Sequence, residues 1–178
     1  DSEFSGYLAE HADIFINDAF GAAHRAHASN VGVASIASES AVGLLMEKEL
    51  KYLGETMNTP EEPCVVILGG AKIGDKISLI KNMMGKADSI LIGGAMAFTF
   101  LKIQGKNVGS SLIDEDNLNT AEEILRLANN TNTNIVLPLD AVAGPKLSDD
   151  TTWRVASLDK LKNNEAGYDI GPETTMEF

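Results

Sequence analysis

The fold is decided by one stretch, residues 64–79, which reads CVVILGGAKIGDKISL. Residues 64–68 are apolar and rich in β-branched side chains, a pattern that predicts a strand buried on both faces of a parallel sheet. Residues 69–71 are Gly-Gly-Ala, which leave the backbone open to close approach, and a helical pattern begins near Ile77. A strand, a glycine turn and a helix in this order offer free backbone N–H groups to an anion.

Two lysines, Lys72 and Lys76, follow the glycine turn four residues apart. If the helix begins early, this spacing places both on one side of it and makes a place for phosphate. The stretch matches neither the G-x-x-x-x-G-K-[ST] phosphate loop nor the G-x-G-x-x-G dinucleotide fingerprint. The pattern alone therefore leaves two readings open, an anion site and a plain strand-to-helix turn with two solvated lysines.

A second glycine pair favours the anion site. Residues 89–92 form another apolar run, which ends in Gly93 and Gly94 before a helical pattern over about 94–103. Ligands of open α/β sheets bind at the carboxyl ends of the strands. We therefore expect both glycine turns to line one crevice.

Composition limits the classes of partner. The 178 residues carry 14 Lys plus Arg against 26 Asp plus Glu, a formal net charge of −12. Nucleic acids and anionic membranes need a basic face, so neither is expected as the main partner. The single cysteine, Cys64, lies in the predicted strand and is expected to be a core residue in a reducing compartment. The chain begins at Asp1 without a methionine, and we expect a piece of a longer protein.

A cluster of cationic side chains lies near the start of the chain. Residues 13–18 predict a short strand, and the segment 19–29 that follows holds His24, Arg25 and His27 among small residues. An arginine can grip a carboxylate or phosphate through two parallel hydrogen bonds. Two histidines without a third nearby ligand are a poor metal site, so no metal site is predicted here.

The rest of the chain predicts an α/β fold. A long helix is expected over 41–57, as a surface element or as a spacer between two lobes, and the two prolines in 58–63 end it. Residues 144–166 are expected to be irregular, and Pro172 to begin a helix. Alternating strands and helices indicate a parallel sheet. The predicted strands are 64–68, 89–92 and 135–138, and the predicted helices between and after them are 75–84, 94–103 and 116–130.

Several segments, read together, resemble phosphoglycerate kinase along the whole chain. They are residues 17–27 (NDAFGAAHRAH), 43–50 (GLLMEKEL), 67–77 (ILGGAKIGDKI), 92–101 (IGGAMAFTFL), 137–140 (LPLD) and 169–174 (DIGPET).

The resemblance implies a Rossmann-like, three-layer lobe with a parallel sheet, within a two-lobed architecture truncated at both ends. Residues 1–40 would be a remnant of the phosphoglycerate-binding lobe, 41–57 the interlobe helix, and 58–178 the first part of the nucleotide-binding lobe. The family's earlier arginines would then lie before Asp1. Its glycine-rich phosphate loop and magnesium-binding aspartate would lie beyond Phe178.

The resemblance also implies an activity, phosphoryl transfer between 1,3-bisphosphoglycerate and ADP to give 3-phosphoglycerate and ATP. Arg25 would belong to the substrate-binding basic patch, with His24 beside it. Lys72 would contact the phosphoryl group during its transfer, and Lys76 would bind nucleotide phosphates. The residues implied to line the nucleotide cleft are Gly70, Ala71, Gly93 and Gly94.

Further expectations follow from the same resemblance. Magnesium would arrive with ATP or ADP, the partners would be small molecules, and the protein would be a cytoplasmic monomer. Ala95 stands where the family usually has another glycine, which could narrow the cleft. We expect no kinase turnover from this chain alone. Two other hypotheses are a stand-alone nucleotide- or anion-binding α/β module without catalysis, and a structural α/β domain.

Overall fold

The chain forms two units, one ending at Pro60 and the other beginning at Glu61. The computed structural model describes residues 2–148, 150 and 152–178. Within these ranges, no helix has both the length and the apolar character needed to cross a membrane.

The described part of the first unit contains two short parallel strands and three α-helices. Its elements are α1 (Ser2–Ala9), β1 (Ile14–Asn17), α2 (Val33–Ile36), β2 (Glu39–Val42) and α3 (Leu44–Asn58). In the register, Ile14 is opposite Glu39 and Asn17 is opposite Val42. The sequence pattern did not predict β2, and the long helix begins at Leu44 because the preceding residues belong to this strand.

A carboxylate from far along the chain caps the start of α3. The Asp18 Oδ1 atom accepts a hydrogen bond of 2.9 Å from the backbone N–H of Met46, one of the N–H groups that a helix start leaves unpaired. A Cβ atom on Gly43 would lie 2.4 Å from Asp18 Cγ, so a glycine is needed at this position. This contact joins two of the segments that carry the family resemblance.

The second unit is built on a parallel sheet of three strands, in the order β3 (Val65–Leu68), β4 (Ser89–Ile92) and β5 (Asn134–Val136). The predicted alternation of strand and helix is confirmed, and Ser89–Ile92 is a strand as predicted. The elements of this part are β3 (Val65–Leu68), α4 (Ile77–Met83), β4 (Ser89–Ile92), α5 (Ala95–Ile103), α6 (Leu118–Asn129) and β5 (Asn134–Val136).

The prediction that the first of these strands is buried on both faces is wrong. Val65 is 52% exposed and Ile67 is 75% exposed, whereas Leu68 is buried. β3 lies at the edge of the sheet, and the strand buried on both faces is the central β4, where Ile90 is fully buried. Apolar residues in succession identify a strand but not its place in the sheet. Cys64 is buried and unpaired, as predicted.

A second, antiparallel sheet of three strands follows, in the order β7 (Arg154–Ser157), β6 (Asp140–Gly144) and β8 (Ala166–Ile170). Its elements, with the helix after it, are β6 (Asp140–Gly144), β7 (Arg154–Ser157), β8 (Ala166–Ile170) and α7 (Pro172–Glu177). The prediction that residues 144–166 are irregular is therefore wrong for β7, whose four residues of mixed polarity form no apolar run that would indicate a strand. Pro172 is the first residue of α7, as predicted.

The antiparallel sheet packs against α5. Phe98 of α5 lies so close to β8 that a Cβ on Gly167 would be 2.1 Å from its ring. This packing holds the helix that follows the second glycine turn. The buried side chains of the cluster are Phe98, Leu101, Ala141, Ala143, Ala156, Leu158 and Leu161.

Candidate functional site

The two glycine turns of the second unit lie directly against each other. The carbonyl oxygen of Gly70, after β3, accepts a hydrogen bond of 2.8 Å from the N–H of Met96, after β4. A Cβ on Gly94 would stand 2.9 Å from the Gly70 nitrogen, so the two backbones approach as closely as glycine allows. Both have positive φ, 136° at Gly70 and 66° at Gly94, which side chains disfavour.

The two lysines differ in their placement. Lys76 is half-buried, and its Nζ lies 3.3 Å from the position that a Cβ on Gly70 would take, so the ammonium lies beside the turn. Lys72 is exposed and precedes the 3-10 turn Gly74–Lys76, which leads into α4. The idea that a helix begins early enough to align the two lysines is therefore wrong, because α4 begins only at Ile77.

Asp114, a residue that the sequence did not single out, holds the backbone between the lysines. Its Oδ2 atom accepts the N–H of Ile73 at 3.0 Å and that of Gly74 at 3.3 Å. Its Oδ1 atom accepts the side-chain amide of Asn117 at 3.0 Å.

The electrostatics of Asp114 follow from these contacts. The hydrogen bond from Asn117 lowers the pKa of this carboxyl, and burial opposes the change. The two backbone N–H groups and the charge of Lys72 lower it further, so the pKa of Asp114 lies below its usual value. Asp114 is therefore an anion that balances positive charge beside the glycine turn.

The end of β8 also lies against the second glycine turn. The Ile170 Cγ2 atom, at the end of β8, lies 3.8 Å from the position of a Cβ on Gly93. Just beyond it, buried Asp140 accepts the N–H of Thr174 at 2.8 Å and its hydroxyl at 2.6 Å.

Burial alone would raise the pKa of Asp140, but the hydrogen bonds from Thr174 and from the N–H of Glu173 outweigh it. The pKa of Asp140 is consequently lowered. The start of α7 is thus fixed next to the turn.

The predicted phosphoglycerate-binding residues lie in the first unit. His24 and Arg25 are both exposed, and the Arg25 Nε atom donates a hydrogen bond of 3.1 Å to His24 Nε2. Four of the five N–H donors of a guanidinium are on its terminal nitrogens, so this bond from Nε leaves Arg25 able to bind an anion through two hydrogen bonds.

Asn30 organises the loop that carries these two residues. It is 5% exposed, and its amide nitrogen donates to the carbonyl oxygens of Ala22 at 2.9 Å and Arg25 at 2.8 Å. Its oxygen accepts the backbone N–H groups of His27 and Val31. All four hydrogen-bonding positions of the amide are used, which fixes the backbone at Arg25.

Among the described residues, no three His, Cys, Asp or Glu side chains come together as a metal-binding group. A cavity of about 440 Å³ in the second unit is lined by β5, the segment after it and the end of α5. None of the site residues predicted from sequence lines that cavity, which is bordered mostly by apolar side chains.

The predicted residues therefore fall into two groups. Gly70, Gly94 and Lys76 come together in the second unit, while His24 and Arg25 are neighbours in the first. Sequence reasoning missed the residues that hold these groups in place. They are Asp18, Asn30, Asp114, Asn117, Asp140 and Thr174. All of them are of the residue types that cap helices and turns. The partners of Asp18, Asp114 and Asp140 lie 28, 41 and 34 residues away, too far for spacing to reveal them, whereas Asn30 and Asn117 bond to residues nearby in sequence.

In the second unit, adjoining glycine turns and a lysine lie at the carboxyl ends of parallel strands, the edge of an open α/β sheet at which ligands bind. Comparison with known proteins defines the family. The phosphoglycerate kinase family model matches residues 1–178. The chain belongs to the phosphoglycerate kinase family.

Individual relatives agree with this assignment. The chain is 51% identical over 180 residues to phosphoglycerate kinase of Fusobacterium nucleatum, covering 100% of this chain and 44% of that protein. It is 48% identical over 178 residues to that of Finegoldia magna, covering 100% of this chain and 45% of that protein. The structure of phosphoglycerate kinase from Coxiella burnetii matches 99% of this chain and 46% of its own, at 37% identity and a TM-score of 0.79. The chain thus spans less than half the length of these relatives.

Proposed function

We propose that this chain carries part of both substrate sites of a phosphoglycerate kinase. That enzyme transfers a phosphoryl group between 1,3-bisphosphoglycerate and ADP, giving 3-phosphoglycerate and ATP. The bond between phosphorus and the carboxyl oxygen of the donor breaks, a β-phosphate oxygen of ADP bonds to phosphorus, and the carboxylate of 3-phosphoglycerate leaves. The observation that carries the proposal is the ammonium of Lys76 beside the adjoining glycine turns.

The second unit would hold the nucleotide and meet the transferred group. Transferring phosphoryl groups pass through a loose transition state with charge on the equatorial oxygens, so positioning and fixed positive charge supply most of the catalysis. Lys72, exposed in the turn, would stabilise that charge, and Lys76 would bind nucleotide phosphates. The bare backbone of the turns would let the nucleotide lie close to the sheet. The lining residues would be Gly70, Ala71, Gly93 and Gly94.

The first unit would hold the phosphoglycerate. Arg25 would grip its phosphate or carboxylate, with His24 orienting the guanidinium. Residues 1–40 would then belong to the phosphoglycerate-binding lobe and 58–178 to the nucleotide-binding lobe. The interlobe helix, expected over 41–57, would be α3 (Leu44–Asn58), since residues 41 and 42 belong to β2. The unit boundary after Pro60 supports this division, since it falls close to the end of the proposed helix.

Magnesium enters this proposal as part of the nucleotide substrate, MgADP or MgATP, where it neutralises phosphate charge. The residues described here gather no metal site of their own. The net charge of −12 supports small-molecule partners over nucleic acid, and it favours a monomer. A place in the cytoplasm is proposed from the family alone.

Amide ¹⁵N NMR of the whole chain tests both halves of the proposal. Titration with MgADP is expected to shift the resonances of Gly70, Ala71, Gly93 and Gly94, and titration with 3-phosphoglycerate those of His24 and Arg25. Shifts from MgADP at Val136 and Leu158, which line the 440 Å³ cavity, in place of the glycine turns would contradict the nucleotide site.

The same sample tests catalysis. Since the chain spans about 45% of its curated relatives, we propose that it binds ligands without completing turnover. After addition of 1,3-bisphosphoglycerate with MgADP, ³¹P spectra are expected to contain no ATP resonances. ATP formation above that of a sample without protein would show that this chain is a complete catalyst.

A further inference from the structure

Asp114 connects the two strand-to-helix turns that face each other in the candidate nucleotide site. Its carboxylate accepts N–H groups of Ile73 and Gly74, which follow the first glycine turn. Its own N–H donates 3.0 Å to the hydroxyl of Thr99, which is fully buried in α5 after the second turn. One residue, 41 positions beyond Ile73, therefore ties both sides of the site together.

The hydrogen bonds of Asp114 act on the segment that carries the lysines. Ile73 and Gly74 lie between Lys72 and Lys76, and the N–H of Lys76 donates 2.8 Å to the carbonyl oxygen of Ile73. The backbone that sets the direction of both lysine side chains is thus fixed by the carboxylate, through Ile73, which is fully buried.

The chemistry of this position requires a carboxylate. Asp114 is 9% exposed, and its two oxygens accept three hydrogen bonds, two from backbone N–H groups and one from Asn117. An amide in its place would present one acceptor oxygen and one NH₂ group. That NH₂ group would face either the two N–H donors or the amide of Asn117, and so leave a buried donor without an acceptor.

We infer that Asp114 is a positioning residue for nucleotide binding, which holds Lys72 and Lys76 in the orientation that receives the phosphates. This inference rests on the proposed function, because it assigns to Asp114 the geometry of the same site. Asp114 touches neither substrate nor the transferred group in this account. It acts through the backbone of residues 73 and 74.

The test is calorimetric titration of the whole chain with MgADP, for wild type and for Asp114→Asn. We expect the variant to bind MgADP about tenfold more weakly, the effect of losing one hydrogen bond to a charged group. The matched control is Asp88→Asn. The Asp88 carboxylate also accepts a backbone N–H, that of Cys64 at 2.7 Å, but before β3, at the amino end of the strand. The control is expected to bind as wild type does.

A spectroscopic readout separates positioning from general stability. In wild type, the amide proton shifts of Ile73 and Gly74 are expected to titrate with the Asp114 carboxyl at acidic pH, and in Asp114→Asn this titration is expected to disappear. Should Asp114→Asn fail to fold, Asn117→Ala removes one hydrogen bond from the same carboxylate and is expected to weaken MgADP binding by a smaller factor.

The outcomes are distinct. Wild-type chain that binds no MgADP would overturn the proposed function and the inference with it. Wild-type chain that binds, with Asp114→Asn within twofold of Asp88→Asn, would overturn the inference alone. If the amide shifts of Ile73 and Gly74 show the same acid titration in wild type and in Asp114→Asn, the inference alone is likewise overturned.

Discussion

At the scale of single residues, aspartate carboxylates join backbone segments that are far apart in sequence. Asp18, Asp114 and Asp140 each accept N–H groups at the start of a helix or helical turn that is distant in sequence. A glycine stands beside two of them, because a Cβ on Gly43 or Gly171 would overlap the carboxylate. The short side chain of aspartate reaches the N–H groups only because the facing backbone comes so close.

A substitution at Gly94 tests the close contact between the glycine turns. Its backbone, at φ 66° and ψ −168°, lies in a region that only glycine adopts readily, and a Cβ there would meet the backbone of Gly70. We expect Gly94→Ala to lower the free energy of unfolding of the second unit by about 1–3 kcal/mol from backbone strain, with the clash adding to it. Urea unfolding followed by the fluorescence of Trp153, the single tryptophan, measures this change.

Gly85→Ala is the matched control for this substitution. Gly85 also has a positive φ, of 79°, but a Cβ there would have no atom within 4 Å. It therefore carries strain without the clash, and we expect a smaller loss of stability than in Gly94→Ala. Equal losses in the two variants would mean that the contact between the turns contributes nothing.

At the scale of elements, an ion pair fastens the antiparallel sheet. Arg154 of β7 donates from Nε and Nη2 to the two oxygens of Glu165, at 3.0 and 2.6 Å, just before β8 begins. These hydrogen bonds from Arg154 lower the pKa of Glu165 to about 2, against the opposing effect of burial. The N–H and side chain of Lys162 add to the lowering.

The lowered pKa of Glu165 predicts that the stability of the antiparallel sheet falls in acid. Because the pKa of Glu165 is lower in the folded than in the unfolded state, its contribution to stability is complete above about pH 4.5 and is lost as pH falls towards about 2. We expect Glu165→Gln to be less stable than wild type at pH 7 and to lose less stability between pH 4.5 and 2. Urea midpoints from Trp153 fluorescence across this range provide the measurement.

Glu123→Gln serves as the control, since the ion pair of Glu123 with Lys81 is largely exposed. It should retain the wild-type pH dependence. Part of the acid sensitivity must remain in Glu165→Gln, because Asp114 and Asp140 also have lowered pKa values. A Glu165→Gln profile parallel to that of wild type would contradict the role of this ion pair.

The same elements show what sequence can predict. β4 and α5 were predicted because a run of apolar residues and a glycine pair are local signals. β2 and β7 were not, because four residues with mixed polarity become a strand only when a partner strand is present. The glycines and lysines of the candidate site were local signals too. The role of Asp114 was not, because its partners lie 40 and 41 residues away.

At the scale of the whole molecule, the segments that carry the family resemblance meet in pairs. Asp18 joins the first segment to the start of α3, and Gly70 joins the third to the fourth through Met96. Asp140 joins the last two through Thr174. Each segment that resembles the family therefore contacts another such segment. These contacts give a structural role to residues, such as Asp18 and Asp140, that have no proposed role in binding.

We propose that the glycine turns and Lys76 form a nucleotide-phosphate site. Calorimetric titration of the chain with MgADP tests it most directly, for wild type, Lys76→Ala and Lys81→Ala. Lys81 is the control because it lies on α4 just beyond Lys76, with its ammonium paired to Glu123. We expect MgADP binding that weakens at least about tenfold in Lys76→Ala and is unchanged in Lys81→Ala. Absence of MgADP binding by folded wild-type chain, or equal affinity in Lys76→Ala, would contradict the proposal.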